Sequence, residues 1–289
     1  MSTKKDNFTI KDKQFMQIAL NLAIAREGLT GTNPSVGCVI VKDNKIISIG
    51  QTSHDGRPHA ERNAIKDSIK NVAGSKIYVT LEPCCHKGKT PPCTNLIIKS
   101  KISEVIYSIS DIDERVSGKS FKVLKSSKIK VAKNLLKKDI SRFYYPYFFN
   151  RKNKIPFVTG KIAVSNNNLI YSKEKQKITN IYSDKFSHFL RYKNDTILIS
   201  YKTLNKDNPK LNCRLKNKNN FSPIRVILDS KLNSNPNSYL IKSATKIKTI
   251  IFYNEATKSK ISLFKSKKVL LIKKKINKNK ELKLKEILK

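Results

Sequence analysis

No stretch of this chain is apolar for long. Its 289 residues hold only short hydrophobic segments broken by Lys, Asn or Ser, none near the roughly 20 residues that a bilayer span requires. The opening stretch, Met1 to Lys13, is polar and lacks the apolar core of an export signal. Both absences point to a soluble, cytoplasmic protein with no membrane partner. Acidic side chains are scarce, 21 against 60 basic ones, for a net charge of +39. Such a field draws in polyanions and phosphates, so nucleic acid has to be weighed as a partner. The basic residues are scattered instead of forming an arm. Stretches such as Lys216-Asn217-Lys218-Asn219-Asn220 have the composition that A/T-rich codons give. A phosphorylated small molecule suits this charge without any nucleic-acid function, and nucleic acid is not the expected partner. Cysteine is sparse and odd in number, at positions 38, 84, 85, 93 and 213. Three of the five cluster, which without an export signal argues for a metal site over a disulfide framework. Glycine is absent after Gly160.

The length suggests about two domains. Met16, Ala19, Leu20 and Ala23 recur at helical spacing, predicting a helix over 12–27. Strands are expected at 36–41 and 46–49 around an Asp43-Asn44 turn, then a helix over 58–69, a strand over 77–81, a helix over 93–100 behind Pro91-Pro92, and a strand over 105–108. That order describes a layered α/β domain over residues 1–145. Residues 142–156 read as a junction whose aromatics pack between domains. A second α/β domain, 146–289, is expected to hold strands at 157–164, 196–200, 224–228, 248–253 and 268–272. Helices are expected there over 180–192 and 280–289.

The chemistry concentrates in His59-Ala60-Glu61, Pro83-Cys84 and Cys93. Zinc favours neutral imidazole and thiolate, and a catalytic zinc keeps three protein ligands and one open position. His59, Cys84 and Cys93 meet that count. The two thiols lie at or near helix starts, where backbone N–H groups favour thiolate. Glu61, two residues after His59, is free to face bound water and substrate, take a proton from the water and pass it on. The order of these residues matches the H-x-E…P-C pattern of zinc base deaminases. Cys85 is the competing second ligand, but adjacent side chains do not easily point the same way. His54 reads better as a loop residue than as a ligand.

The surrounding residues extend the match. Asn33-Pro34-Ser35-Val36-Gly37-Cys38-Val39-Ile40-Val41, His54-Asp55-Gly56-Arg57-Pro58-His59-Ala60-Glu61 and Val79-Thr80-Leu81-Glu82-Pro83-Cys84-Cys85-His86-Lys87-Gly88-Lys89-Thr90-Pro91-Pro92-Cys93 resemble the riboflavin-biosynthesis bifunctional deaminase–reductase family, of RibD type. Eight residues separate Cys84 from Cys93, where most base deaminases have two. The resemblance implies a cytidine-deaminase-like three-layer first domain acting on 2,5-diamino-6-(5-phosphoribosylamino)pyrimidin-4-one. It implies substrate contacts from Asn33, His86 and Lys89. Each has a plainer reading as well: a turn former before Pro34 for Asn33, loop or surface positions for the other two.

The second half resembles the family's reductase, an α/β domain of dihydrofolate-reductase-like fold, from Lys161-Ile162-Ala163-Val164-Ser165 to Pro223-Ile224-Arg225-Val226-Ile227-Leu228-Asp229-Ser230. The resemblance implies NADPH contacts from Val164, Thr203, Asp207 and Ser230, and substrate contacts from Arg191, Leu211 and Arg214, with core packing the plainer reading of Leu211. Two departures stand out. Asn166-Asn167-Asn168 replaces the family's Asp-Gly, and the chain stops before the Gly-Gly segment that cradles the cofactor pyrophosphate, so the fold is expected to be incomplete there. The resemblance therefore leads to zinc-dependent deamination, with NADPH-dependent reduction to follow. The alternatives are deamination alone beside a degenerate reductase domain, or a nucleic-acid base deaminase. A homo-oligomer is expected.

Overall fold

The computed structural model describes residues 8–170, 178–218, 221–279 and 281–289. The chain forms two compact units, Met1–Phe157 and Val158–Lys289.

The first unit runs α1 (Ile10–Arg26), β1 (Gly37–Lys42), β2 (Lys45–Gln51), α2 (Ala60–Lys66), β3 (Lys76–Leu81), α3 (Cys93–Lys99), β4 (Glu104–Ile109), α4 (Lys119–Ser126), β5 (Lys130–Lys133) and α5 (Lys137–Asn153). Thr9 and Asp12 close a reciprocal capping box on α1, with N···O distances of 2.8 and 3.1 Å, and so set its start two residues before the expected one. The sheet order is β2-β1-β3-β4-β5. β1 is antiparallel to β2 and β3, and β3, β4 and β5 run parallel.

Register places the helices. Opposed residues of an antiparallel pair share a face, and successive residues alternate. Cys38 faces Gly50 across the β1–β2 ladder. A Cβ on Gly50 would stand 2.2 Å from the Ala60 carbonyl oxygen in α2, and one on Gly37 1.8 Å from the Ala19 carbonyl oxygen in α1. Those two glycines seat α2 and α1 directly on the sheet, on opposite faces. Tyr78 and Thr80 share the α1 face. The Tyr78 hydroxyl donates to Asp12 of α1 at 2.6 Å, and Thr80 Oγ1 meets the Tyr144 hydroxyl of α5 at 2.7 Å. α3 packs on α2 and α4 on α3, which completes a three-layer arrangement.

The aromatic stretch expected to lie between domains is instead α5. Ile140 and Tyr144 are fully buried, with Phe143, Tyr147 and Phe148 packed on the same core. The division therefore falls after Phe157 and not near residue 145.

The second unit contains α6 (Ile181–Lys193), β6 (Thr196–Ser200), α7 (Tyr201–Asp207), β7 (Ile224–Leu228), α8 (Tyr239–Lys242), β8 (Thr249–Tyr253), α9 (Lys258–Ser266), β9 (Leu270–Lys273) and α10 (Leu284–Ile287). Its four strands pair in chain order, all parallel, with a helix in each crossover. Ile197, Ile199, Ile227, Ile251 and Leu271 face the crossover helices and pack with Leu204, Leu240, Ile241 and Phe264. Arg225 is fully buried, its guanidinium donating to Thr249, Ser243, the Leu240 carbonyl in α8 and the Ile247 carbonyl before β8. The strand expected at 157–164 is not formed. Phe157, Val158, Ile162 and Val164 stay exposed, and no strand among the described residues pairs with this segment to take up its backbone donors and acceptors. The expected terminal helix over 280–289 shortens to α10. Among the described residues no helix is long and apolar enough to cross a membrane.

Candidate metal centre and pocket

Three donors converge where β3 and two helix starts meet. His59 is the extended N-cap of α2, and Cys93 is the first residue of α3 behind Pro92. Cys84 lies just past β3. His59 Nδ1 is 3.5 Å from Cys84 Sγ and 3.4 Å from Cys93 Sγ, and the three ligand atoms lie within 4.8 Å of one another. A tetrahedral zinc with Zn–N near 2.05 Å and Zn–S near 2.3 Å needs N···S separations of about 3.6 Å. The donor set and spacing therefore fit zinc. Cys85 Sγ turns toward the Arg115 carbonyl oxygen at 3.5 Å, away from this centre.

The donors share protons tightly. A hydrogen bond from the Cys93 thiol, helped by His59 and by the Cys93 N–H at 3.3 Å, overcomes burial and brings Cys84 down to about 4. Cys93 rises in turn, because it gives the hydrogen bond and is buried. Glu61 is 4% exposed, and burial pushes its carboxyl up to about 6 against the pull of His59. His59 caps α2 and Glu61 lies in its first turn, so the Gly50 contact that seats α2 also positions the carboxylate.

A pocket opens over this centre. Asn33, His86, His59, Glu61 and Cys84 line it. The Asn33 amide donates to the Gly56 carbonyl at 2.9 Å, tying two loops of the wall together. His86 Nδ1 is buried without a partner. Lys89 is exposed and is not among the lining residues. His54 lies in the loop before α2 with its Nε2 2.5 Å from Arg26 Nη1. Several lining residues escape sequence reasoning: Glu82, Asp111, Asp113, Arg115, Tyr147, Arg151 and Arg57. Arg57 donates to Thr90 Oγ1 at 3.0 Å, and its place two residues before His59 was the one available signal. Arg115 is paired with Asp113 at 2.5 Å. Arg151 donates to the Thr32 carbonyl and lies over the Tyr147 ring at 5.2 Å. Nothing local to Arg115 or Arg151 points at a pocket, since α5 and the loop after β4 bring them there.

In the second unit, Arg191 and Arg214 gather around a residue the sequence did not single out, His188. Arg191 Nη1 is 3.3 Å from His188 Nδ1, and the Arg214 backbone N–H donates to the same atom at 3.1 Å. Burial, then the two arginines, lowers the His188 pKa. Leu211 is buried in the core of this unit. Thr203 lies at the start of α7, just beyond β6, and Ser230 just beyond β7. Asp207 ends α7, and Val164 is exposed in the segment without a strand.

Residues 9–109 match the family described as the cytidine and deoxycytidylate deaminase zinc-binding region, and residues 160–289 match the RibD C-terminal domain. The riboflavin biosynthesis protein of Aquifex aeolicus is 33% identical over 264 residues, which are 91% of this chain and 74% of that protein. The chain belongs to the RibD family of riboflavin biosynthesis proteins. A second RibD protein, from Actinobacillus pleuropneumoniae, is 34% identical over 84% of this chain and 65% of its own length. The structure of a deaminase/reductase of this type from Thermotoga maritima superposes with a TM-score of 0.77 at 30% identity, covering 91% of this chain and 80% of that one. The RibD structure from Acinetobacter baumannii gives 0.79 at 27% identity, covering 96% and 76%. The chain thus spans between 60% and 74% of several curated relatives it matches.

RibD membership accounts for the zinc-type donor set, and the C-terminal match implies NADPH use. Thr203 and Ser230 fit that cofactor in one respect: they lie past the carboxyl ends of neighbouring parallel strands, where open parallel sheets receive nucleotides. Val164 does not share that position. Gly160 is the single glycine of this unit, so no glycine turn lines the strand ends.

Proposed function

We propose that the first unit hydrolytically deaminates 2,5-diamino-6-(5-phosphoribosylamino)pyrimidin-4-one. The observation that carries this reading is the convergence of His59 Nδ1, Cys84 Sγ and Cys93 Sγ beside the buried Glu61 carboxylate. Bound there, zinc supplies a Lewis acid that makes water nucleophilic near neutral pH. Glu61 accepts the proton given up by the attacking water. It hands that proton to the ring nitrogen, then takes the remaining proton from the hydroxyl added at C2 and delivers it to the departing amine, which leaves as ammonia as the carbonyl forms. Asn33 and His86 hold the ring. Arg57 and Arg151, which form no ion pair among the described residues, receive the phosphate, and Lys89 stands outside as a steering charge. The field of the +39 chain favours such an anion.

The second unit acts on the product, 5-amino-6-(5-phosphoribosylamino)uracil. Arg191 and Arg214 receive its phosphate around His188, while Thr203, Asp207, Ser230 and Val164 take NADPH. Leu211, packed in the core, shapes the site from behind. Self-association belongs to the same reading, supported by the exposed Ile162, Ile170, Tyr182 and Phe186, and sedimentation measures it.

The test is a paired assay on the purified, zinc-loaded chain, scoring ammonia release and NADPH oxidation separately. Ammonia release abolished by Glu61→Gln at unchanged zinc content is the expected outcome. A Glu61→Gln chain that releases ammonia at the wild-type rate removes Glu61 from the chemistry.

A further inference from the structure

We propose that Glu82 reads the 5-amino group of the pyrimidine, and so selects the substrate ring by an amine that the reaction leaves in place. The inference rests on the deaminase reading above. Glu82 follows β3 directly and is 3% exposed, yet it lines the pocket over the metal centre. Its backbone N–H donates to the Ile109 carbonyl at 2.9 Å, which fixes the residue beside β4. One carboxylate oxygen, Oε2, accepts the Gly118 N–H at 3.1 Å. The other, Oε1, is buried and accepts nothing.

A buried carboxylate oxygen without a donor is costly, and native structures keep such groups where a ligand completes them. No cation on the wall is committed to it, since the guanidinium of Arg115 is engaged with Asp113. Asp111, raised chiefly by burial and partly by Asp113 and Glu82, makes this side of the pocket rich in acceptors. Glu82 therefore calls for an N–H donor from the ligand.

The arrangement of donors around the ring points to the C5 amine. The amine at C2 is expelled over the metal, and the nitrogen at C6 carries the ribose and phosphate toward the arginines. The ring N3–H adjoins the reacting carbon and the C6 N–H stands beside the ribose, so the C5 amine, directly across the ring from C2, is the donor assigned to Oε1. A site built to accept that hydrogen bond rejects a ring lacking the amine, because the rejected ring leaves Oε1 buried and unpaired.

The experiment compares calorimetric binding of 2,5,6-triaminopyrimidin-4-one and 2,6-diaminopyrimidin-4-one to the zinc-loaded full chain. A Glu61→Gln background keeps the rings from being consumed. The chain with Glu82 intact should prefer the triamino ring by about tenfold or more. Adding Glu82→Gln should erase that preference, because the amide oxygen still serves Gly118 while its NH2 faces the pocket as a donor. With Glu61 restored, Glu82→Gln should raise KM for the phosphoribosyl substrate about tenfold with kcat little changed. Equal binding of the two rings by the Glu82 chain overturns the proposal without recourse to any change at Glu82, as does full preference kept in Glu82→Gln. Ring preference without ammonia release from the Glu61 chain would instead sink the deaminase reading and leave Glu82 as the amine reader.

Discussion

Removing one sulfur from the metal centre should cost the chain its zinc and the stability that zinc lends. His59 Nδ1 lies 3.5 and 3.4 Å from the two sulfurs, close to the roughly 3.6 Å that tetrahedral zinc requires. Little rearrangement then separates the metal-free centre from the loaded one, and binding energy passes into folding. At free zinc 100-fold above Kd, the folded state gains about 2.7 kcal/mol. For a unit of about this size each kcal/mol moves Tm by roughly 2–4 °C, so zinc should raise the first unit's melting temperature by about 5–11 °C. Cys93→Ala leaves one imidazole and one thiolate, and Cys84 loses the hydrogen bond that holds it low. Thermal melts with zinc and with a chelator, alongside metal analysis, read the effect. The wild-type melt should fall on chelation, Cys93→Ala should be low and chelator-insensitive, and Cys85→Ala should behave as wild type. A Cys93→Ala chain that keeps one zinc, or a Cys85→Ala chain that loses it, would refute the ligand assignment.

Tyr144→Phe removes a hydroxyl that donates to the Ser35 carbonyl and meets Thr80, both at 2.7 Å. It should destabilise the first unit by about 1–3 kcal/mol, and an unchanged denaturant midpoint would show that these bonds contribute nothing. Gly50→Ala puts a Cβ 2.5 Å from the Ala64 nitrogen as well as against Ala60, so it should push α2 outward, cost about 1–3 kcal/mol and weaken zinc affinity; normal zinc binding would argue against the seating of α2. Burial opposes the charge on Asp12, but hydrogen bonds from Tyr78 and Thr9 hold its pKa below the ordinary value. Its stabilisation is thus full above the unfolded carboxylate range and is lost as pH falls through the lower folded value. Asp12→Asn should be about 1 kcal/mol less stable than wild type at neutral pH, and the gap should close below about pH 4; a gap independent of pH would mean that the charge plays no part.

Much of the fold was legible because its signals are local. The second unit's strands at 196–200 and 224–228 are rich in β-branched and aliphatic residues, and α1 carries a helical stripe. α5 was missed for a physical reason. Pro146 inside a helix removes a backbone donor and argues against one, and the dense aromatics read as a linker. The helical spacing of Ile140, Tyr144, Tyr147 and Phe148 was nonetheless present. The segment at 157–164 failed in the opposite direction. Its apolar residues look like a strand, but a strand exists only by pairing, and pairing is decided by other parts of the chain.

By itself, the sequence determined which atoms could hold a metal. Imidazole and thiolate chemistry, and helices beginning close to His59 and at Cys93, are properties of residue type and short-range order. Tertiary structure decided everything that depends on distance through space. It chose Cys84 over Cys85 by turning one sulfur inward and the other toward Arg115. It brought Arg57, Arg115 and Arg151 to one pocket from three separate elements, and it left Lys89 outside. It also buried Glu82 with one oxygen unmet. Hydrogen bonding and burial are set by what the sheet and its helices place side by side, and no reading of neighbours along the chain contains that information.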